Sequence, residues 1–442
     1  MICIKNGTLV SSQGTKKADL WIEGGKIIEA PENPVEFEVY DAEGCYVFPG
    51  FIDSHTHLQM PLGGGMWTAD DFESGTSAAI SGGTTMILDF ATQDRGHSLG
   101  EALDTWHSRA DGHCHCDYGF HMAITDWNDR TRAELRDMVN AGITSFKTYM
   151  AYDSLRISDD DLCEVLTETR KLGAIVGVHC ELGDEVNSNI KALLAEGKTE
   201  PQWHPVSRQN DVESRAVSRF MELAKKANAP AWVVHLSTAE GLDAIEDARK
   251  NGQHVLVETC PQYLTLTDEV YIKHDFESAK YVCSPPIRRE YDKQILLKAL
   301  ESEVDIISTD HCSFNFIGQK EQGRKDFSKI PNGLPGIEHR PALVWTYCKL
   351  SAERFCELMS ETPAKAFGMY PQKGSLMPGS DADVVVWDTG YRGKICAEEQ
   401  IMKADYNPWE GYEINARAKY VFLRGQSEKY EGKFIPRGKT GV

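Results

Sequence analysis

The chain has 442 residues, of which 41% are hydrophobic and 26% charged, and its formal net charge is −20. This composition is typical of a globular protein large enough for an α/β barrel with a small additional domain. The negative charge argues against nucleic acid and an anionic membrane surface as partners, and no apolar run approaches the roughly 18 residues of a membrane span.

The amino terminus and the cysteines together indicate a compartment. The first residues contain no basic segment followed by an apolar one, so we expect no signal peptide. The twelve cysteines are scattered without a tight framework. In a chain of this size that pattern favours reduced thiols and a cytoplasmic location.

The two ends of the chain share a β pattern. Residues 1–47 alternate apolar and polar side chains between glycine turns, which is typical of short strands. A matching pattern returns in residues 374–442. Because neither end is long enough for a comfortable sheet alone, we predict one composite β-sandwich domain built from both.

Strands and helices alternate through residues 48–373, a pattern that indicates a parallel sheet with crossover helices. The predicted strands cover 47–54, 83–90, 117–124, 142–149, 173–179, 231–236, 253–258 and 304–309. The predicted helices cover 70–81, 99–111, 130–141, 158–172, 211–228, 239–251 and 291–302. The fold class is therefore α/β, with a (β/α)₈ barrel whose active site lies at the carboxyl ends of the strands.

Histidines and one carboxylate stand at the ends of several predicted strands. His55 and His57 lie two residues apart, so on a strand both imidazoles point to the same face. A single pair of this kind is weak, since paired histidines also occur on solvated strands. His179, His235 and Asp310 close three further strands. Imidazole and carboxylate are ligands of zinc and related ions, so the sequence predicts a metal site at this end of the barrel.

The fourth predicted strand contains one lysine, Lys147, in an otherwise apolar run. Lysine is almost never fully buried unless it is paired, and burial lowers its pKa toward the neutral amine. A salt bridge to a carboxylate would explain it. The alternative is that the neutral amine captures carbon dioxide and becomes a carbamate that bridges two metal ions. The sequence leaves both open, and the surrounding histidines favour the second.

In this order, the set H-x-H, Lys, His, His and Asp resembles the amidohydrolase superfamily of binuclear metal barrels. Longer strings resemble its hydantoinase/dihydropyrimidinase branch, which includes D-phenylhydantoinases. They are His55-Thr-His-Leu-Gln-Met-Pro61, Thr144-Ser-Phe-Lys-Thr-Tyr-Met-Ala-Tyr152, Val178-His-Cys-Glu181, Glu258-Thr-Cys-Pro-Gln-Tyr-Leu264, Cys283-Ser-Pro-Pro-Ile-Arg288, Ser308-Thr-Asp-His-Cys312 and Pro331-Asn-Gly-Leu-Pro-Gly-Ile-Glu-His-Arg340. The resemblance covers essentially the whole chain and is more specific for the branch than for the substrate.

The resemblance implies a role for each site residue. His55, His57 and Asp310 would bind one metal, His179 and His235 the other, and both carboxylated Lys147 and a hydroxide would bridge the two. Asp310 would also act as general base and acid, Tyr152 would stabilise the oxyanion, and backbone groups of Ser284 and Asn332 would hold the ureide edge of the ring. The implied cofactors are two divalent ions, zinc by ligand type, and the carbamate derived from carbon dioxide on Lys147.

The implied reaction is hydrolysis of hydantoins or 5,6-dihydropyrimidines to N-carbamoyl amino acids by a homotetramer. Dihydroorotases carry an arginine two residues after the second metal histidine, where this chain has the uncharged Gln59. Allantoinase, or another cyclic ureide hydrolase, stays open as an alternative. A non-enzymatic scaffold relative is disfavoured because all six ligands are present, and a mononuclear deaminase would have no use for Lys147.

Overall fold

The computed structural model describes residues 1–272 and 276–441. In chain order its strands are β1 (Ile2–Lys5), β2 (Thr8–Ser11), β3 (Gly14–Lys17), β4 (Leu20–Glu23), β5 (Lys26–Ile28), β6 (Glu38–Asp41), β7 (Tyr46–Pro49), β8 (Phe51–Thr56), β9 (Pro61–Leu62), β10 (Met66–Trp67), β11 (Thr84–Thr92), β12 (Asp117–Ala123), β13 (Ser145–Tyr149), β14 (Ile175–His179), β15 (Ala231–Val233), β16 (Val255–Thr259), β17 (Ile306–Ile307), β18 (Val384–Asp388), β19 (Gly393–Lys394), β20 (Glu413–Ile414) and β21 (Arg417–Phe422).

The α-helices are α1 (Phe72–Ser81), α2 (Leu99–Ala110), α3 (Asp129–Asn140), α4 (Asp159–Lys171), α5 (Gly183–Ala195), α6 (His204–Ser207), α7 (Asn210–Ala227), α8 (Ala239–Lys250), α9 (Pro261–Thr265), α10 (Glu290–Ala299), α11 (Arg340–Cys348), α12 (Ala352–Cys356) and α13 (Thr362–Ala366). Short 3₁₀ turns cover Gly63–Gly65, Pro201–Trp203, Asp268–Ile272, Glu277–Tyr281, Lys320–Gly323 and Phe327–Lys329, and a π-helical turn covers Glu357–Glu361. Within the described residues, no helix is both long and apolar enough to cross a membrane.

Eight parallel strands form the barrel, in the order β8, β11, β12, β13, β14, β15, β16 and β17. All eight predicted strands and all seven predicted helices have counterparts in this (β/α)₈ unit, so the predicted fold class is confirmed. Helix α5 is the main crossover helix that the prediction lacks. It begins after Leu182 without a side-chain cap, so the usual signal for a helix start is missing from the sequence.

The seam between the first and last barrel strands is closed mainly by side chains. The fully buried Arg340 donates through Nη1 to the carbonyl of Ile52 at 2.7 Å and to that of Ile307 at 2.8 Å, and so bridges β8 and β17. Asp53 accepts from the Thr309 amide at 3.0 Å. Strand β17 is only two residues long, so backbone pairing alone fixes it weakly. These side-chain bonds therefore set where the residues that follow β8 and β17 lie along the barrel axis, relative to each other.

The prediction of one strand over 47–54 is wrong, because two strands meet there. Strand β7 pairs with β18 and β2 in a terminal sheet, whereas β8 pairs with β11 in the barrel. Gly50 lies at the break and donates to the Asp383 carbonyl at 2.8 Å. A Cβ at Gly50 would lie 2.0 Å from Thr85 Oγ1, so the chain can change sheets there only without a side chain.

Both termini contribute to the sheets outside the barrel. One five-stranded sheet has the order β21, β18, β7, β2 and β3, which mixes carboxyl-terminal and amino-terminal strands. A four-stranded sheet of β5, β4, β1 and β6 accompanies it. The two sheets enclose a shared apolar cluster that includes Ile4, Val47, Val384 and Phe422. The domain limits at 47/48 and 373/374 stay a prediction.

A buried lysine joins the barrel to the terminal sheet. Lys373 Nζ lies 2.5 Å from Asp117 Oδ2 at the start of β12, 2.6 Å from Asp383 Oδ2 and 3.0 Å from Asp381 Oδ2. The three carboxylates are close enough together to hold a cation. Here the ammonium group of Lys373 serves as that cation, so the cluster is a structural ion network.

We expect Lys373→Met to lower the free energy of unfolding by about 3–5 kcal/mol, because it removes the ammonium group that three carboxylates share and leaves the buried Asp383 without a cationic partner. The midpoint of urea unfolding would measure the loss. Lys26→Met is the matched control, since Lys26 contacts Asp381 at 2.6 Å but is about half exposed. Its cost should stay below about 1 kcal/mol. Equal losses in the two variants would contradict a special role for the buried amine.

Candidate active site

Three predicted ligands meet above the seam of the barrel. His55 is the fifth residue of β8 and His57 follows the strand, so both imidazoles point to the same face. Asp310 Oδ1 lies 3.2 Å from Nε2 of each histidine. The three donor atoms lie within 4.8 Å of one another, and two imidazoles with a carboxylate are a ligand set that suits one divalent ion.

The second pair of histidines lies beside the first. His179 ends β14, His235 follows β15, and both are buried. His179 Nδ1 lies 3.0 Å from His235 Nε2. The His55 and His235 rings, whose centroids are 5.5 Å apart, connect this pair to the first group. Burial lowers the pKa of His55, His179 and His235, which favours the neutral imidazole that binds metal.

Lys147 lies between the two groups, at the centre of β13. Its Nζ is 2.9 Å from His55 Nε2 and 4.5 Å from the centroid of the Phe90 ring. The side chain is almost completely buried. Burial lowers the pKa of Lys147, and the negative charges of Asp310 and Glu258 only partly oppose that shift. The amine therefore lies where the neutral form is favoured and where the predicted metal ligands surround it.

Two carboxylates fix the orientation of the histidines from behind. Glu258 Oε1 accepts from His55 Nδ1 at 2.6 Å and from the His235 amide at 3.2 Å. Glu181 Oε2 accepts from His179 Nε2 at 2.7 Å. Each bond holds the proton on the outer ring nitrogen and leaves the inner nitrogen free as a ligand, the usual arrangement around metal-binding histidines.

Glu181 is itself held by a buried arginine. Arg208 Nη1 donates to Glu181 Oε2 at 2.6 Å, and the arginine also lies over the Tyr152 ring, with 5.4 Å between Cζ and the centroid. Burial opposes ionisation of Glu181, but Arg208 and the bond from His179 outweigh it and hold its pKa at about 2. One arginine thus supports a ligand histidine and the predicted oxyanion residue.

The three predicted substrate residues lie together beside His179. The Tyr152 ring centroid is 5.2 Å from that of His179, and its hydroxyl is close enough to Ser284 and Asn332 for both to lower its pKa. Burial outweighs them, so the pKa of Tyr152 is raised. The phenol therefore keeps its proton at neutral pH and can donate a hydrogen bond.

Backbone strain is concentrated at this rim of the barrel. Gln59, Tyr152, His235 and Asp310 all have φ between 40° and 67°, although none is glycine. A residue other than glycine in this region is uncommon and costs about 1–3 kcal/mol. All four follow the carboxyl ends of barrel strands. The turns therefore orient these four side chains, and the backbone conformation that does so is higher in energy than a regular one.

The comparisons with known proteins agree with this geometry. The family model described as "Amidohydrolase family" matches residues 46–427. A D-hydantoinase of Geobacillus stearothermophilus is 42% identical over 99% of this chain and 94% of its own length. A dihydropyrimidinase structure from Brevibacillus agri has a TM-score of 0.97 and 41% identity, covering 100% of this chain and 99% of that one. A D-phenylhydantoinase of Escherichia coli strain SE11 is 39% identical over 100% of this chain and 96% of its own length.

The chain belongs to the amidohydrolase family. The match spans far more than half of its residues. The resemblance to the hydantoinase/dihydropyrimidinase branch, and with it the prediction of a cyclic amide hydrolase, is confirmed at this level. Membership in the amidohydrolase family and the converging donors together indicate a binuclear metal site.

Sequence reasoning did not identify every residue that supports this amidohydrolase site. Glu181 lies two residues after His179, so the same alternation that paired His55 with His57 could have found it. Glu258 ends a predicted strand and could have been found in the same way. Arg208 lies in an irregular segment before α7 and has no spacing signal, because only the tertiary fold brings it to Glu181.

We expect Glu181→Gln to weaken metal binding by about 10-fold or more. The amide can still accept from His179, but it removes the charge that supports the imidazole and leaves Arg208 buried without its counter-charge. Metal content of the protein after dialysis against increasing chelator would measure the loss.

The matched control is Glu185→Gln. Glu185 lies on the first turn of α5, at the surface, and pairs with Arg215. This variant should release metal at the wild-type chelator concentration. If Glu181→Gln releases metal at that same concentration, the carboxylate does not support the ligand.

Proposed function

We propose that this chain is a metal-dependent cyclic amidohydrolase that opens hydantoin and 5,6-dihydropyrimidine rings to N-carbamoyl amino acids. The observation that carries the proposal is the buried Lys147 amine between two groups of metal-type ligands at the carboxyl ends of the barrel strands. It is further supported by relatives named D-hydantoinase and dihydropyrimidinase over nearly the whole chain.

In this proposal two divalent ions occupy the site. His55, His57 and Asp310 would bind one, and His179 and His235 the other. Zinc is the expected metal because imidazole predominates among the ligands. The neutral Lys147 amine would add carbon dioxide through Nζ and release one proton to solvent, and the resulting carbamate would help to hold both ions. Its burial and lowered pKa support this step, since only the neutral amine is nucleophilic.

Asp310 is the proposed proton carrier. When bound, the two metals would polarise the ring carbonyl and make a water molecule acidic enough to react near neutral pH. Burial opposes ionisation of Asp310, but His55 and His57 hold its pKa at about 2, so it is a carboxylate that can accept a proton from that water. It would then deliver the proton to the leaving ring nitrogen.

Tyr152, Ser284 and Asn332 are proposed to hold the substrate. The protonated Tyr152 hydroxyl would donate to the carbonyl oxygen as negative charge develops on it. Backbone groups of Ser284 and Asn332 would bind the ureide edge of the ring, which carries both N–H and C=O groups. Such paired contacts would fix the ring with the reacting carbonyl toward the ligand cluster.

The pocket for the ring substituent is proposed to be roomy. Gly63–Gly65 carry no side chains and form a short turn at the rim. Tyr149, the last residue of β13, and Leu155, in the segment that follows this strand, offer an aromatic and an aliphatic side chain. A bulky or aryl 5-substituent is therefore expected to fit.

We further propose that the protein is a cytoplasmic homotetramer. Light scattering would measure the mass of the assembly.

Turnover of a panel of cyclic ureides by the zinc-loaded protein tests the function. The panel contains dihydrouracil, hydantoin, 5-phenylhydantoin, allantoin and dihydroorotate, and loss of ultraviolet absorbance follows ring opening. We expect activity on the first three and the highest kcat/KM for an aryl or unsubstituted ring without a carboxylate. Dihydroorotate should react poorly, because Gln59 offers no charge for its carboxylate. Turnover of allantoin alone would overturn the proposed substrate class.

Lys147→Ala is expected to lose bound metal and nearly all turnover, because it removes the side chain that is proposed to bind both ions. Acetate or propionate should restore part of each, since a free carboxylate can take the position of the carbamate. Lys171→Ala, an exposed lysine on α4, should keep full metal content and rate. Full activity of Lys147→Ala would contradict the proposed role of Lys147 in binding both ions.

A further inference from the structure

A second buried lysine lies outside the ligand cluster. Lys320 begins the 3₁₀ turn Lys320–Gly323 and is fully buried. Within the described residues, no carboxylate lies within ion-pair distance of its Nζ. The amine instead donates to two backbone carbonyls, that of Val282 at 2.9 Å and that of Pro331 at 3.1 Å. A buried ammonium without a counter-charge is costly, so a purely space-filling role explains it poorly.

The two carbonyls belong to the two segments that carry the proposed ureide contacts. Val282 is two residues before Ser284, and Pro331 immediately precedes Asn332. The segments also meet directly, because the Gly333 amide donates to the same Val282 carbonyl at 3.0 Å. Lys320 therefore connects both sides of the contact between the segments.

Other buried side chains hold the carbonyls around Ser284. His204 Nε2 donates to the Cys283 carbonyl at 2.7 Å, and the Tyr263 hydroxyl donates to the Pro285 carbonyl at 2.8 Å. In the part of the chain that the structure describes, no hydrogen bond involves the backbone amide or carbonyl of Ser284 or of Asn332. The neighbouring groups are thus paired within the protein, and these two residues have backbone groups available for a ligand.

We propose that Lys320 is a positioning residue that sets the separation of the Ser284 and Asn332 backbones and thereby the affinity for the ureide edge of the substrate. This inference rests on the proposed function. Lys320 does not touch the reacting atoms, so it acts through the two segments.

The buried Lys320 amine has enough hydrogen-bond donors for both carbonyls. Burial lowers the pKa of Lys320 to about 7. A neutral amine has two N–H groups, one for each carbonyl, and an ammonium has three, so both forms can make the two bonds. An apolar side chain of the same length would fill the space but leave both carbonyl acceptors without this donor.

Lys320→Met is the central test, with hydantoin and 5-phenylhydantoin as substrates of the zinc-loaded protein. We expect KM to rise by about 10-fold or more. The factor should be similar for both substrates, because they share the ureide edge and differ only in the substituent. We expect kcat to change less than about threefold and metal content to stay at the wild-type level. Loss of folded protein alone would lower kcat per total protein and leave KM unchanged.

Two further variants make the test specific. Lys325→Met makes the same chemical change five residues later, at an exposed position, and should keep the wild-type KM. Lys320→Gln keeps two N–H donors on a shorter side chain and should recover part of the lost affinity. If Lys320→Met does not fold, the KM of Lys320→Gln decides, since a raised value supports the positioning role.

The outcomes separate the inference from the proposed function. A wild-type protein that opens neither ring overturns the proposed function, and the inference with it. A wild-type protein that is active, beside Lys320 variants with unchanged KM, overturns the positioning role alone. A rise in KM for 5-phenylhydantoin but not for hydantoin also overturns it, because the effect would then lie at the substituent and not at the ureide edge.

Discussion

The burial of one amine among four imidazoles and a carboxylate is the constraint on which the site depends. Lys147 lies 2.9 Å from His55 with almost no access to water. Carboxylates behind His55 and His179 keep the protons on the outer nitrogens, so the inner donors all face one volume. Without bound cations such a cluster of converging lone pairs has little reason to persist. The ligand set therefore makes physical sense chiefly as a metal site.

The barrel determines where the predicted metal ligands lie relative to one another. The ligands come from strands far apart in sequence, and their relative height depends on the seam where Arg340 joins β8 to β17. The final aim of His235, Asp310 and Tyr152 comes from backbone turns at positive φ. These strained backbone conformations persist because the apolar side chains of the barrel interior, including Phe90 and Trp232, are closely packed below the site.

Local periodicity explains what the sequence could predict. Alternation along one strand paired His55 with His57, and the ends of apolar runs marked His179, His235 and Asp310 as predicted ligands. The alternation of such runs with helices predicted the eight barrel strands, because each signal lies within a few adjacent residues. The break at Gly50 was missed because the apolar residues on both sides of it, from Val47 to Ile52, were read as one strand, although the Pro49-Gly50 pair between them is a local signal for a break. The close contact with Thr85, which excludes a side chain at Gly50, is visible only in the fold. Arg208 and Lys320 were missed for the same reason. Glu181 lies 27 residues from Arg208, and Val282 and Pro331 lie 38 and 11 residues from Lys320. No pattern of neighbouring residues in the chain marks these contacts.

The three lysines that are buried among the described residues have different roles, so burial alone does not define the role of a lysine. Lys373 is surrounded by three carboxylates that raise its pKa, so it is a charged structural cation. Lys147 and Lys320 have lowered pKa values, because burial exceeds the opposing charges. What distinguishes these two is the partner. Lys147 faces imidazole nitrogens that can share a metal, whereas Lys320 faces carbonyls that need only a donor. The groups nearest each amine, and not burial itself, distinguish the structural cation Lys373 from the proposed metal-binding Lys147 and the proposed positioning residue Lys320.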